Sequence, residues 1–197
     1  MECVTCHEAA IEGLLCGGCG AIQPPLSGLD KFAVLGVART FDLDMTDLER
    51  RYRELSRRVH PDRFARAPAE ERRRSLSAAT TLNEAYRTLR AAVPRAEYLL
   101  ELAGKAACEL PMDPEFLAEM LELREEQATL RAAGDTARLR ALAANVRARL
   151  DEALARIAGL FAAHARGGAP DLLERVYVEL ASGRYFQRFL DDNEGEG

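Results

Sequence analysis

From residue 29 onward the apolar positions recur at three- and four-residue steps, with no sustained alternation of the strand type. That period puts apolar side chains on one face of a helix and predicts an all-α body. A first short helix over about 29–36 stops at Gly36. A second begins after Asp44, whose side chain suits the free amides of a first turn, and runs to about Val59. A third starts near Pro68 and runs to about Ala92, before Pro94, with Leu76, Ala79, Leu82, Tyr86 and Leu89 as its apolar stripe. Residues 112–190 form three longer helical patterns, parted at Gly134-Asp135 and Gly167-Gly168. In the middle one, Leu139, Leu142, Val146, Leu150, Leu154, Ile157 and Phe161 follow bundle-core spacing.

Composition then narrows the class. Apolar residues make up 48% and charged residues 30%, the balance of a soluble globular protein rather than a disordered one. No apolar run reaches the roughly 20 residues of a membrane span. The start Met1-Glu2-Cys3 has neither the basic nor the apolar stretch of a secretory signal, so a cytoplasmic location is expected. A net charge of −5 argues against general nucleic-acid binding.

Charge is unevenly placed. On the second helix Leu48, Tyr52, Leu55 and Val59 share one sector, Arg50, Arg53 and Arg57 lie opposite, and Arg51 and Arg58 flank them. Residues 50–58 carry five Arg and Glu54, a net +4 in an acidic chain. Such a run is ordinarily a solvated face, but on an acidic protein it can also steer an acidic partner. Pro61 then ends the helix and leaves His60 and Asp62 on a loop beside it. A catalytic His–Asp dyad is disfavoured, because the two straddle a proline and no nucleophile motif accompanies them.

Four of the five cysteines form two hooks, Cys3-x-x-Cys6 and Cys16-x-x-Cys19, nine residues apart. Two such hooks complete a tetrahedral thiolate site, and zinc is the expected ion; four thiolates also suit iron. Cys3-Val4-Thr5-Cys6-His7 fits a haem-attachment pattern, but the second hook favours a simple ion. A redox dithiol lacks its usual strand–helix context. A head this short needs the metal's binding energy to fold. The leftover Cys108 is expected to be a packing residue.

His60-Pro61-Asp62 alone is a motif that chance supplies. Set between an Arg-faced helix and a third helix carrying Asn83-Glu84-Ala85-Tyr86, it closely resembles a J-domain. The chain goes on with Pro94-Arg95-Ala96-Glu97-Tyr98-Leu99-Leu100 and with Phe116 to Glu126, which resemble the HscB family of iron–sulfur co-chaperones over roughly residues 30–190. The resemblance implies a tetracysteine head at 1–24, a J-domain at 25–103 and a three-helix scaffold-binding domain at 108–192, the last two packed in an L. It implies no catalysis. The implied partners are a DnaK/HscA-class chaperone, activated through His60, Pro61 and Asp62 and docked on Arg50, Arg53, Arg57 and Arg58, and an IscU-type scaffold. For the scaffold, Leu117, Leu121, Glu122 and Glu125 match the family's contact positions, and Tyr185 takes the place of an aromatic contact. Ala118, also on this face, stands where a larger apolar residue is usual, and Thr129 where an acidic one is. Periodicity agrees in part: Phe116, Met120, Leu123, Gln127 and Leu130 share a core sector, whereas Leu117 and Leu121 lie off it, either as a second contact face or as the margin of a wide core stripe. A general J-domain co-chaperone with another client, a zinc-ribbon nucleic-acid binder and a cysteine oxidoreductase are the rival classes.

Overall fold

The computed structural model describes residues 2–7, 13–24, 29–105, 113–169 and 171–194. Among these the chain is all-α, with helices α1 (Lys31–Leu35), α2 (Met45–Val59), α3 (Ala69–Arg90), α4 (Ala92–Leu102), α5 (Pro114–Ala132), α6 (Thr136–Ala165) and α7 (Leu172–Glu194). A 3₁₀ turn, Pro61–Phe64, joins α2 to α3. An isolated antiparallel bridge pairs Leu15 with Ile22. No helix among the described residues is long and apolar enough to cross a membrane. The chain divides into two compact units, Met1–Arg95 and Ala96–Gly197.

In the first unit the helix ends are set by side chains that satisfy orphan backbone groups. The Asp44 carboxylate accepts from the Thr46 and Asp47 amides at 2.8 and 3.2 Å and starts α2. At the other end the Val59 carbonyl accepts from Ser75 Oγ at 2.7 Å. Phe32, Leu35, Leu48, Val59, Leu82 and Leu89 form the fully buried core where α1 and α2 pack on α3. The Tyr52 ring stacks on Tyr86 at 4.0 Å, and the Tyr52 hydroxyl donates to Asn83 Oδ1 at 2.9 Å. The Asn83…Tyr86 stretch therefore fastens α3 to the helix that carries the arginines.

The α3 stripe differs from the expected one. Leu76 is 61% exposed, and the buried positions are Ser75, Ala78, Leu82, Ala85 and Leu89. Ser75 holds the core position because its hydroxyl completes the end of α2, which outweighs leucine's larger transfer energy on a site facing a bare carbonyl. Arg95 is likewise buried: Nη1 donates to the Leu89 carbonyl at 2.6 Å, and the guanidinium lies 4.9 Å over the Phe41 ring.

In the second unit α5 and α7 both pack on α6 or its margins through Met120, Leu130, Val146, Leu150, Ala153, Ile157, Val176, Leu180 and Phe189. Gly134, at φ +66°, turns the chain out of α5 in the left-handed conformation that glycine adopts without strain. Within α6 the small Ala153 is fully buried and Leu154 only half-buried, so the tightest approach to its neighbours falls one residue before the leucine of the expected stripe.

Candidate functional site

The corner after α2 is exposed and held by its own backbone. Pro61 removes an amide from the helix ladder, so α2 stops and His60 turns out at ψ +128°. His60 Nδ1 accepts from the Asp62 amide at 3.3 Å, and the Arg63 amide bonds the His60 carbonyl at 3.1 Å. His60 thus holds the corner by a hydrogen bond rather than by packing its ring. The Asp62 carboxylate lies 3.6 Å from Nδ1 and remains 90% exposed, free to meet another molecule.

The arginines beside the corner fall into two groups. Arg50 pairs with Asp47 at 2.5 Å and Glu54 at 3.6 Å, and Arg53 with Glu49 at 2.5 Å, all within α2. Hydrogen bonds from Arg51 first, then Arg50, hold the Asp47 carboxyl below its ordinary range. Arg51 also donates to the Gly36 carbonyl at 2.8 Å. Among the described residues no acidic group pairs with Arg57 or Arg58, in the last turn of α2. Their charge complements the negative end of the helix dipole and stays available next to Asp62.

In the second unit Leu117 and Leu121 lie outside the core, 40% and 60% exposed, and Ala118, Glu122 and Glu125 are exposed with them. The wide-stripe alternative is thereby excluded for the two leucines. α7 runs unbroken through Ser182-Gly183 and brings Tyr185, 37% exposed, edge-on to Phe116 at 5.7 Å. Phe116 also meets Phe186 at 5.6 Å, so it links the buried packing to the exposed aromatic. The result is an open apolar face on α5, with an aromatic from α7 near its start and carboxylates on α5 itself.

The head converges on four sulfurs. Those of Cys3, Cys6, Cys16 and Cys19 all lie within 4.8 Å of one another. Cys3 Sγ is 3.5 Å from Cys19 Sγ, and Cys6 Sγ is 3.7 Å from Cys16 Sγ. A tetrahedron with metal–sulfur bonds of about 2.3 Å has edges of about 3.8 Å, so the donor set fits a single thiolate-bound ion. None of these four cysteines is joined in a disulfide among the described residues. The second hook is a tight hairpin: the Cys16 amide bonds the Ala21 carbonyl at 3.0 Å, and the Gly20 amide bonds the Cys16 carbonyl at 2.9 Å. Gly20 sits at φ +73°, and a Cβ there would also come within 3.2 Å of Arg58 Nη2. In the first hook the Cys6 amide, assisted by that of Thr5, bonds Cys3 Sγ and lowers that thiol to about 6 against the burial that raises it. Cys108 lies outside the described residues.

Sequence reasoning missed Gln23, whose side-chain amide is buried in the head, 3% exposed, and bonded to Cys3 Sγ. Its only signal was an amide side chain four residues after Cys19. Within the first unit the head borders a cleft of about 260 Å³, lined by Leu14 and Cys16 from the head and by Leu35, Leu55 and Arg58 from α1 and α2.

Residues 30–98 match the DnaJ domain family, and residues 112–192 match the family described as the HSCB C-terminal oligomerisation domain. A co-chaperone protein HscB homolog from Azoarcus sp. (strain BH72) is 46% identical over 116 residues, which are 57% of this chain and 66% of the relative. The iron-sulfur cluster co-chaperone protein HscB of Mus musculus is 35% identical over 158 residues, 77% of this chain and again 66% of the relative. The chain thus spans just under two thirds of the length of these relatives. Among solved structures, human co-chaperone protein HscB superposes with a TM-score of 0.78 at 29% identity, covering 98% of this chain and 97% of that one. Chaperone HscB from Vibrio cholerae superposes with a TM-score of 0.72 at 32% identity, covering 84% and 95%.

Proposed function

Since the chain belongs to the HscB family of J-domain co-chaperones, we propose that it stimulates the ATPase of a DnaK/HscA-class chaperone and delivers an IscU-type iron–sulfur scaffold to it in the cytoplasm. The observation that carries the reading is the Asp62 carboxylate, 90% exposed on a hydrogen-bonded corner beside Arg57 and Arg58, which have no acidic partner among the described residues. Asp62 makes a charge-assisted bond to a cation of the chaperone and binds its hydrolysis-competent conformation more tightly than the other. The arginines steer and orient the encounter.

Residues 25–103 do this work, and residues 108–192 hold the scaffold through Leu117, Leu121, Tyr185 and the carboxylates of Glu122 and Glu125. Carrying both binding sites on one chain raises the scaffold's local concentration at the chaperone. No bond of a substrate is made or broken by this protein. In the head, residues 1–24, one zinc ion held by Cys3, Cys6, Cys16 and Cys19 supplies a cross-link in place of a hydrophobic core.

The test is the steady-state ATPase rate of a purified DnaK-class chaperone with this protein, with the scaffold, and with both. Stimulation by this protein, increased further by the scaffold, is the expected result. A rate unchanged by this protein refutes the reading. Stimulation accompanied by binding of many unfolded polypeptides but not of the scaffold would favour a general J-domain co-chaperone.

A further inference from the structure

An amide side chain removed from water costs free energy unless its donor and acceptor find partners. In the head, Gln23 is 3% exposed, and its partners are specific. Nε2 donates to Cys3 Sγ at 3.3 Å and to the Ala21 carbonyl at 2.8 Å, and Oε1 accepts from the Val4 amide at 3.2 Å. These partners fix which end of the amide is which: the reverse orientation would set its oxygen against the Ala21 carbonyl. Val4 and Cys3 belong to the first hook, and Ala21 follows the second. One side chain therefore spans both halves of the cysteine cluster.

The sulfur it meets is already favoured by the backbone, because the Thr5 and Cys6 amides point at Cys3 Sγ from 3.3 and 3.5 Å. Four thiolates on a divalent ion carry two net negative charges in a partly buried place. N–H groups aimed at sulfur spread that charge and fix the direction in which the lone pairs point. We propose that Gln23 is a positioning residue for the head's metal: it orients the Cys3 sulfur, locks the first hook to the second, and thereby sets how tightly the ion is held. The proposal rests on reading the head as a metal site. It separates Gln23 from a residue that merely fills the hairpin, since a filler needs no donor at sulfur.

Gln23→Glu keeps the shape and the acceptor for Val4 but removes the donor. Gln23→Leu removes both. Leu14→Ala is the control, because Leu14 is buried in the same hairpin and offers its side chain to no sulfur. Each full-length protein is titrated with zinc against a chromophoric chelator and, separately, loaded with cobalt(II) to record the sulfur-to-metal charge-transfer band. Both Gln23 variants should bind zinc about 10- to 100-fold more weakly, still at one ion per chain. Both should shift the cobalt band, whereas Leu14→Ala leaves it in place. Zinc affinities equal to wild type, or a band that moves equally in Leu14→Ala, would overturn the role of Gln23 while leaving the metal site standing. A wild-type protein that takes up neither ion would overturn both readings.

Discussion

The corner at His60-Pro61-Asp62 and the face around Leu121 are both open to solvent, and they are built in opposite ways. The corner is charge and backbone: a carboxylate 90% exposed, a loop held by an imidazole hydrogen bond, and two arginines with no acidic partner among the described residues. The face is apolar, with Leu117, Leu121 and Tyr185 at 40%, 60% and 37% exposure and carboxylates beside them. Attraction between charges acts at a distance and is screened by salt within about 8–10 Å. Burial of leucine acts only on contact and is largely indifferent to salt. One chain is therefore expected to meet its two proposed partners by different physics, steered association at the corner and desolvation at the face.

The comparison breaks most sharply at Asp62. Asp62→Asn keeps the size of the side chain and removes its charge, and the corner is held by the Asp62 amide rather than by its carboxylate, which is 90% exposed. Stimulation of the chaperone ATPase should fall by at least about tenfold, the loss of roughly 1.4 kcal/mol of differential binding. The circular dichroism spectrum and the scaffold affinity should be unchanged. Residual stimulation near the wild-type rate would remove the corner from the mechanism.

Next in size is the paired change Leu117→Ala and Leu121→Ala. Both side chains protrude, so the variant leaves no cavity and should fold as the parent does. Two truncated contacts at the centre of an interface cost about 2–4 kcal/mol, roughly 30- to 1000-fold in scaffold affinity. Calorimetry would measure that loss, and the ATPase assay without scaffold should show none. A scaffold affinity unaltered by the double change would show that the face lies elsewhere.

Salt sharpens the contrast without any substitution. Raising ionic strength from about 50 to about 300 mM should weaken chaperone docking several-fold, chiefly through a slower association rate. Scaffold binding should change by less than about twofold under the same conditions. Equal salt sensitivity of the two would mean that Glu122 and Glu125, not the leucines, dominate the face.

How far these regions can be read from sequence follows the same division between local and distant causes. The cap at Asp44, the stop at Pro61 and the glycine break after α5 are decided within a few residues, and each could be read directly. The exposure of Leu117 and Leu121 followed from helical period, which is also local. What could not be read depends on a partner far along the chain. Ser75 displaces Leu76 from the core because of the Val59 carbonyl, 16 residues earlier. Gln23 earns its burial from Cys3, 20 residues earlier. Nor does a helical wheel separate paired from unpaired arginines, since it plots direction and not reach.

That last point carries the smallest expected effect. Arg50 and Arg58 lie on the same helix, and sequence alone treats them as equivalent docking cations. In the fold Arg50 is shared between Asp47 and Glu54, whereas Arg58 has no acidic partner among the described residues and lies in the last turn, next to the corner. The Arg50 pairs are exposed and each is weak, but docking must compete with both. Moreover, removing Arg50 leaves Asp47 and Glu54 less neutralised, which repels an acidic partner slightly. The net field lost at the corner is still larger for Arg58, because it shares its charge with no acidic side chain among the described residues and is closer. Arg58→Ala should raise the half-saturating concentration for ATPase stimulation by about fivefold, and Arg50→Ala by about twofold. Both shifts should shrink together as salt is added. If Arg50→Ala proved the more damaging, the chaperone would be reading the middle of α2, and its ion pairs would have to open during docking.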